Sequence, residues 1–295
     1  MALFESGGSS AQLLQAEVSG LDALDLPVPS RPSRVATLWA ATWPKVLAVA
    51  SFLFIWQLVV WSGWKPKSVL PGPVTVFNTI TDEWDTLWDA TVTTVVSGVK
   101  GFLVALALGT VIGALVSQIR VLRAAVGSLI TGLMTMPSVA WVPLALLLFS
   151  NDPRQMVLFV ILLGAVPSIA NGLITGIDSI PPVLLRAGRV MGAGRWSAFR
   201  HVVLPAALPS FVGGLKQGWA FAWRSLLAAE IIATIPGQVS LGGLLHNSQE
   251  TADAAGAMAV MVMLFVAGVT IDALVFSQAD KAIRKRYGLI DEATK

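Results

Sequence analysis

Six stretches of the chain are predominantly apolar over about 20 residues, the length a helix needs to cross the hydrocarbon of a bilayer. They lie near 46–64, 91–117, 124–149, 156–177, 205–235 and 255–277. The pattern predicts an all-α integral membrane fold with six transmembrane helices. The flanks differ in character. Residues 1–45 include the acidic, then proline-rich "LDALDLPVPSRPSR" and are expected to form a flexible cytosolic extension. Residues 1–30 hold no Lys or Arg and no apolar core, so no secretory signal peptide is expected there. Residues 46–277 would form the membrane domain, with a cytoplasmic loop over about 178–204, and 278–295 a basic cytosolic tail.

Composition agrees with the pattern. Of 295 residues, 55% are hydrophobic and only 13% charged, against about 25% charged in soluble domains. There is no cysteine, which excludes disulfides, thiolate catalysis and thiolate metal sites. The two histidines, His201 and His246, are far apart, and no metal site is expected.

The few charges carry an orientation. With the N-terminus inside, the inner side holds Arg31, Arg34, Lys45, Arg120, Arg123, Arg186, Arg189, Arg195, Arg200, Lys281, Arg284, Lys285, Arg286 and Lys295. The outer side holds only Lys65, Lys67 and Arg154. The bias of positive charge toward the cytoplasm predicts N-in, C-in. Trp39, Trp43, Trp61, Trp64, Trp84 and Trp88 fall near the proposed interfaces, where amphipathic rings settle. Outside, "KPKSVLPGPVTVFNTITDEW" offers Val74, Phe77 and Ile80 as the apolar side of an interfacial piece. The glycine-rich "IPGQVSLGGLLHNSQETAD" is placed to dip toward a pore mouth.

One inner segment is unusual. "RAGRVMGAGRWSAFRHVVLPAALP" is too basic to cross a bilayer, yet reads as a helix from Leu184 to Phe199. Pro181 and Pro182 suit a helix start, where a missing N–H is harmless. Leu185, Val190, Met191 and Phe199 offer apolar contacts. Ala187, Gly188, Gly192, Ala193 and Gly194 remove bulk, and the arginines form a charged rim. Small centre, apolar anchors and charged rim describe a docking surface for a cytosolic partner. Pro205 and Pro209 would permit a sharp turn into the fifth span. Read more simply, the arginines are a topology signal only.

This segment resembles the loop of bacterial ABC importer permeases with the pattern E-A-A-x3-G-x9-aliphatic-x-L-P. Ala187, Gly192, Val202, Leu204 and Pro205 stand at its positions, with Arg186 in place of Glu and Gly188 in place of the second Ala. From about residue 46 onward the chain is similar to the nitrate/sulfonate/taurine branch. The similar stretches include "VLPGPVTVFNTI", "MTMPSVAWVPLALLLF", "GAVPSIANGLITGIDSIPPVLLRAGRVMGAGRWSAFRHVVLPAALP" and "GLKQGWAFAWRSLLAAEII"; the last is most like aliphatic sulfonate permeases. The resemblance implies a type I ABC importer permease that pairs with a second copy of itself. It also implies two ABC ATPase subunits, which bind ATP and Mg, and an extracytoplasmic substrate-binding protein. Arg186, Ala187, Gly188, Val190, Met191, Gly192, Ala193, Arg195, Leu204 and Pro205 would then serve ATPase coupling. No G-x-x-x-x-G-K-[ST] is present, so this chain lacks a phosphate cradle of its own. No cofactor and no nucleic-acid partner are expected.

Ionisable residues at bilayer depth cost about 2.5–3.5 kcal/mol on insertion scales and point to function by default. Lys100, Lys216, Arg224 and Glu230 lie in spans two and five, and Asp272 near the inner end of span six. On a helical wheel Lys216, Ala220, Trp223, Leu227 and Glu230 form one stripe, and Gln217, Phe221, Arg224 and Ala228 the next. Two readings stand. Lys216, Gln217, Trp223, Arg224 and Glu230 line a translocation path in which Arg224 attracts an anion, or Arg224 and Glu230 pair with Lys100 or Asp272 and hold the bundle together. In span three, Met136, Pro137, Trp141 and Pro143 form either a hinge beside the path or a static kink. Asn171 is expected to bond between helices. A secondary transporter and a membrane scaffold are the rival classes. The first rival needs enough spans for a repeat pair, and six spans with a one-sided inner helix fit it poorly.

Overall fold

A computed structural model describes residues 34–233 and 237–286 of the chain. The first 33 residues of the expected extension and residues 287–295 of the expected tail lie outside the described residues, as do residues 234–236. The chain divides after Leu58 into two units.

Helix α1 (Arg34–Trp61) accounts for the described residues of the first unit and runs three residues past Leu58; it starts within the expected extension rather than at residue 46. Its stretch Thr42–Trp61 is apolar enough to cross a membrane. Phe52 and Trp56 meet along its side in a tilted contact, with centroids 6.3 Å apart and planes at 53°.

The second unit is built from α2 (Pro73–Asp82), α3 (Trp84–Gln118), α4 (Arg120–Thr135), α5 (Val142–Leu148), α6 (Pro153–Asp178) and α7 (Pro182–Val190). It continues with the single turn α8 (Arg195–Ala198), α9 (Leu204–Ile232), α10 (Leu241–Glu250), α11 (Ala254–Ile271) and α12 (Ser277–Arg286). Among the described residues there is no strand. The helix starts follow local chemistry. Asp152 accepts from the N–H groups of Arg154 (3.0 Å) and Gln155 (3.2 Å), with Pro153 at the first position. Ser240 and Asp253 cap α10 and α11 in the same way.

The core is a three-helix sandwich with α6 between α3 and α9. In lipid the hydrophobic effect does not drive helices together, so contact depends on small residues that let backbones approach. The three helices supply them at every fourth position. α3 carries Gly101, Ala105, Gly109 and Gly113; α6 carries Gly164, Ser168, Gly172 and Gly176; α9 carries Gly214, Gly218 and Ala222. Ile169, fully buried, sits between the notches of Gly109 and Gly218.

Among the described residues five helices are long and apolar enough to span, and a broken pair counted as one gives the expected six. Three details differ from expectation: the place of Pro143, the inner helix and the turn at Pro205. Val121–Thr135 and Ser138–Leu148 meet at 105°. The break is at Met136 and Pro137, both with extended backbone. A residue before proline is disfavoured from helical geometry, and proline offers no N–H to the preceding turn. Pro143 is not part of the break; it sits in the first turn of α5, where proline is harmless.

The inner helix expected from Leu184 to Phe199 is two pieces, α7 and α8, separated by a turn at Gly192. Nor is there a sharp turn at Pro205. From Trp196 to Ile232 the chain is one continuous helical run. A π turn over Phe199–Val203 widens it just before Pro205, giving room for a ring that otherwise collides with the carbonyl four residues back. A second π turn, Asp272–Phe276, joins α11 to α12.

Candidate functional site

The basic loop ends α7 with a defined stop. The Gly192 N–H donates to the Arg189 carbonyl and the Ala193 N–H to the Gly188 carbonyl, each at 3.0 Å. Gly192 has φ +78°, the left-handed conformation this closure demands. Gly192 therefore has a backbone role of its own, apart from any clearance it leaves for a partner. Gly188 faces inward, where a methyl group would lie 3.3 Å from the Val202 side chain. Its missing side chain lets the loop close on itself.

Outward, the loop presents Val190 (88% exposed), Met191 (79%) and Trp196 (74%), with Arg186 and Arg189 exposed beside them. Ala187, Gly192 and Gly194 are exposed as well, and Ala193 half-buried. Trp196 stacks on Phe199 with centroids 6.0 Å apart. Behind the loop is a cleft of about 860 Å³ lined by Gln118, Ile177, Leu185, Arg189 and Trp196 among others. Asp178, the last residue of α6, forms an ion pair with Arg123 of α4 and so ties the start of the loop to the broken pair. Leu204 and Pro205 open α9, so the loop's far end is continuous with that helix.

Along α9 the polar residues separate into three environments. Gly213, Gln217 and Arg224 are exposed on one side of the helix, four and seven residues apart. The Arg224 Nε–H donates to the Ala220 carbonyl at 3.1 Å, and its guanidinium lies 5.1 Å from the Phe221 ring centre. Among the described residues neither Arg224 nor Lys100 has an acidic partner. Lys216 does: its Nζ is 3.2 Å from Asp272 Oδ2, with both side chains about half exposed. Trp223 turns to a different side. It stacks on Trp219 at 5.9 Å and faces Gly268 of α11. Trp219 continues the cluster to Phe102 and Phe276.

Glu230 is 2% exposed. Its partners are Thr94 and the backbone of Gly242, not Lys100 or Asp272. Charge spacing along the chain offers no hint of Thr94, a hydroxyl in an ordinary apolar run. At the break, Met136 and Pro137 are exposed and Trp141 half-buried, and the turn Ser138–Trp141 packs on both α6 and α9. The break thus adjoins the helix that carries Gln217 and Arg224. Asn171 lies half-buried on α6. What the arrangement offers is a protruding loop at one end and a cationic, open helix face in the span.

Residues 101–285 match the family described as binding-protein-dependent transport system inner membrane component. The riboflavin transport system permease protein RibX of Chloroflexus aurantiacus is 29% identical over 75% of this chain and 83% of its own length. The bicarbonate transport system permease protein CmpB of Synechococcus elongatus is 28% identical over 77% of this chain and 84% of its own. Among solved structures, an amino acid ABC transporter superposes with a TM-score of 0.55 at 16% identity, covering 70% of this chain and 98% of that one. This agrees with the fold of ABC importer permeases. The chain is a multi-pass membrane protein and belongs to the family of binding-protein-dependent transport system inner membrane components.

Proposed function

We propose that this chain is the translocating subunit of an ATP-driven importer for a small anion, working as a pair of copies with two ATPase subunits and an extracytoplasmic binding protein. The observation that carries the reading is the inner loop: a short helix closed by Gly192 that leaves Val190, Met191 and Trp196 open to solvent within an arginine rim. Apolar side chains that exposed, outside the membrane, call for a protein partner. ATP and Mg are held by that partner. Closure of the ATPases draws the two loops together; α9 carries the displacement because the loop runs into it without a break.

Arg224 supports the anionic substrate. It lies eight residues from the outer end of α9, about 12 Å along the helix. A guanidinium at that depth needs water, an acid or a substrate. Two copies facing each other across a shared axis would add their fields and draw an anion inward. Aliphatic sulfonates of the taurine type are the first substrates to try, and bicarbonate and nitrate the next. Relatives named for riboflavin and bicarbonate stand at nearly equal identity, so overall similarity does not choose among them.

The test is purification from native membranes through a tag on this chain. An ATPase with a phosphate-binding loop should co-purify in equal amount, and its hydrolysis should rise on adding a substrate-loaded binding protein. Accumulation of solute by vesicles holding only this chain and an ion gradient would sink the reading.

A further inference from the structure

The end of the bundle opposite the basic loop contains a buried carboxylate that the path does not use. Glu230 Oε2 accepts from the Thr94 hydroxyl at 3.0 Å and from the Gly242 N–H at 3.2 Å. Thr94 Oγ1 in turn accepts from the Leu241 N–H at 3.0 Å. Thr94 is fully buried. A methyl group on Gly242 would overlap Glu230 Cβ, so only glycine lets the backbone come this close. Three elements, α3, α9 and α10, therefore meet at one carboxylate.

The two amides are the first two of α10, groups that a helix leaves without internal partners. At ten residues α10 is too short to be stable by itself. Its buried side consists only of Leu241, Gly242 and Leu245. A carboxylate out of water is costly unless its oxygens receive hydrogen bonds, and bonds to an ionised acceptor are stronger than neutral ones. Glu230 is thus built to hold this helix, and its burial removes it from any path for solute.

We propose that Glu230 and Thr94 are positioning residues that clamp α10 across the outer ends of α3 and α9. The helix, with its exposed Asn247, Gln249 and Glu250, becomes a fixed part of the surface that receives the binding protein. This rests on the importer reading, which places α10 outside.

The test uses the complex with its ATPases in nanodiscs. By hydrogen exchange, the Leu241 and Gly242 amides are protected in the wild type. Thr94→Val, which keeps the bulk and loses the hydroxyl, speeds exchange across 241–245 by roughly tenfold, the weight of about one lost hydrogen bond. Thr94→Ser stays protected, and α6 is unchanged in both. In ATP hydrolysis, Thr94→Val leaves the basal rate alone. It raises several-fold the half-saturating concentration of the binding protein that stimulates the wild type, and Thr94→Ser restores it. Unchanged exchange or unchanged half-saturation in Thr94→Val overturns the clamp. So does rapid exchange at Leu241 and Gly242 in the wild type, a measurement that needs no variant. If no binding protein stimulates the wild-type complex, the importer reading fails instead, and the exchange data alone judge the clamp.

Discussion

A methyl group on Gly172 would lie 2.6 Å from the Cα of Gly214, and one on Gly214 the same distance from the Cα of Gly172. Here α6 and α9 touch backbone to backbone. Gly214→Ala should therefore force the helices apart and cost about 1–3 kcal/mol, the usual penalty of overpacking. The adjacent Gly213 is exposed with nothing within 4 Å of an added methyl, so Gly213→Ala should be neutral or slightly stabilising. Thermal denaturation of the two variants in detergent gives the comparison; equal losses would refute this account of the packing.

Arg224→Gln should lower anion uptake by an order of magnitude or more while assembly and basal ATP hydrolysis persist. Because no acid faces Arg224 among the described residues, removing its charge strands no buried partner, and the melting temperature should hold. Uptake assays in reconstituted vesicles decide it. Parental uptake by a stable variant would remove Arg224 from the path, whereas a large drop in stability would show that it serves the bundle.

Val190→Asp and Met191→Asp place a charge on the most exposed apolar positions of the inner loop. Each should abolish co-purification of the ATPase, since a charge left unpaired in a contact costs several times a lost methyl. The membrane fold should be untouched. Gly192→Ala makes a different case, because φ +78° strains any L side chain by about 1–2 kcal/mol. It should weaken docking by distorting the loop. Normal ATPase recovery with both aspartate variants would exclude the loop as the contact.

Ala252 closes α10 with φ 56°. Its N–H bonds the Gln249 carbonyl at 3.3 Å and the Asp253 N–H bonds the Ser248 carbonyl at 2.8 Å, the same stop that Gly192 makes for α7. Ala252→Gly should relieve the left-handed strain and stabilise by about 1 kcal/mol, less the extra freedom gained by the unfolded chain. A melting temperature below the parental value would show that the conformation is not strained.

Much of this protein is legible in its sequence. Apolar runs of spanning length exist because lipid offers backbone groups no partners, which forces whole helices. The inner loop's basic face and small centre are legible in "MGAG" and its arginines, since residue type is a local property, but the helix stop at Gly192 is not, and the expected helix runs through it. The small-residue notches on α3, α6 and α9 were also there to be read, as glycine, alanine and serine recurring at every fourth residue, but which helix would fill them was not.

Tertiary structure decided the rest, because the remaining questions concern partners far apart in the chain. Pro137 and Pro143 look alike in sequence; packing made one a 105° break and the other a helix start. Helical periodicity put Glu230 and Trp223 on the same stripe as Lys216. In the fold Lys216 meets Asp272, Trp223 meets Trp219 and Gly268, and Glu230 meets Thr94 and the start of α10. A wheel gives the direction in which a side chain leaves its helix, whereas what it meets depends on the element lying there. For Glu230 the partners are a hydroxyl 136 residues away and the Gly242 amide at the start of α10, which no composition or period reveals.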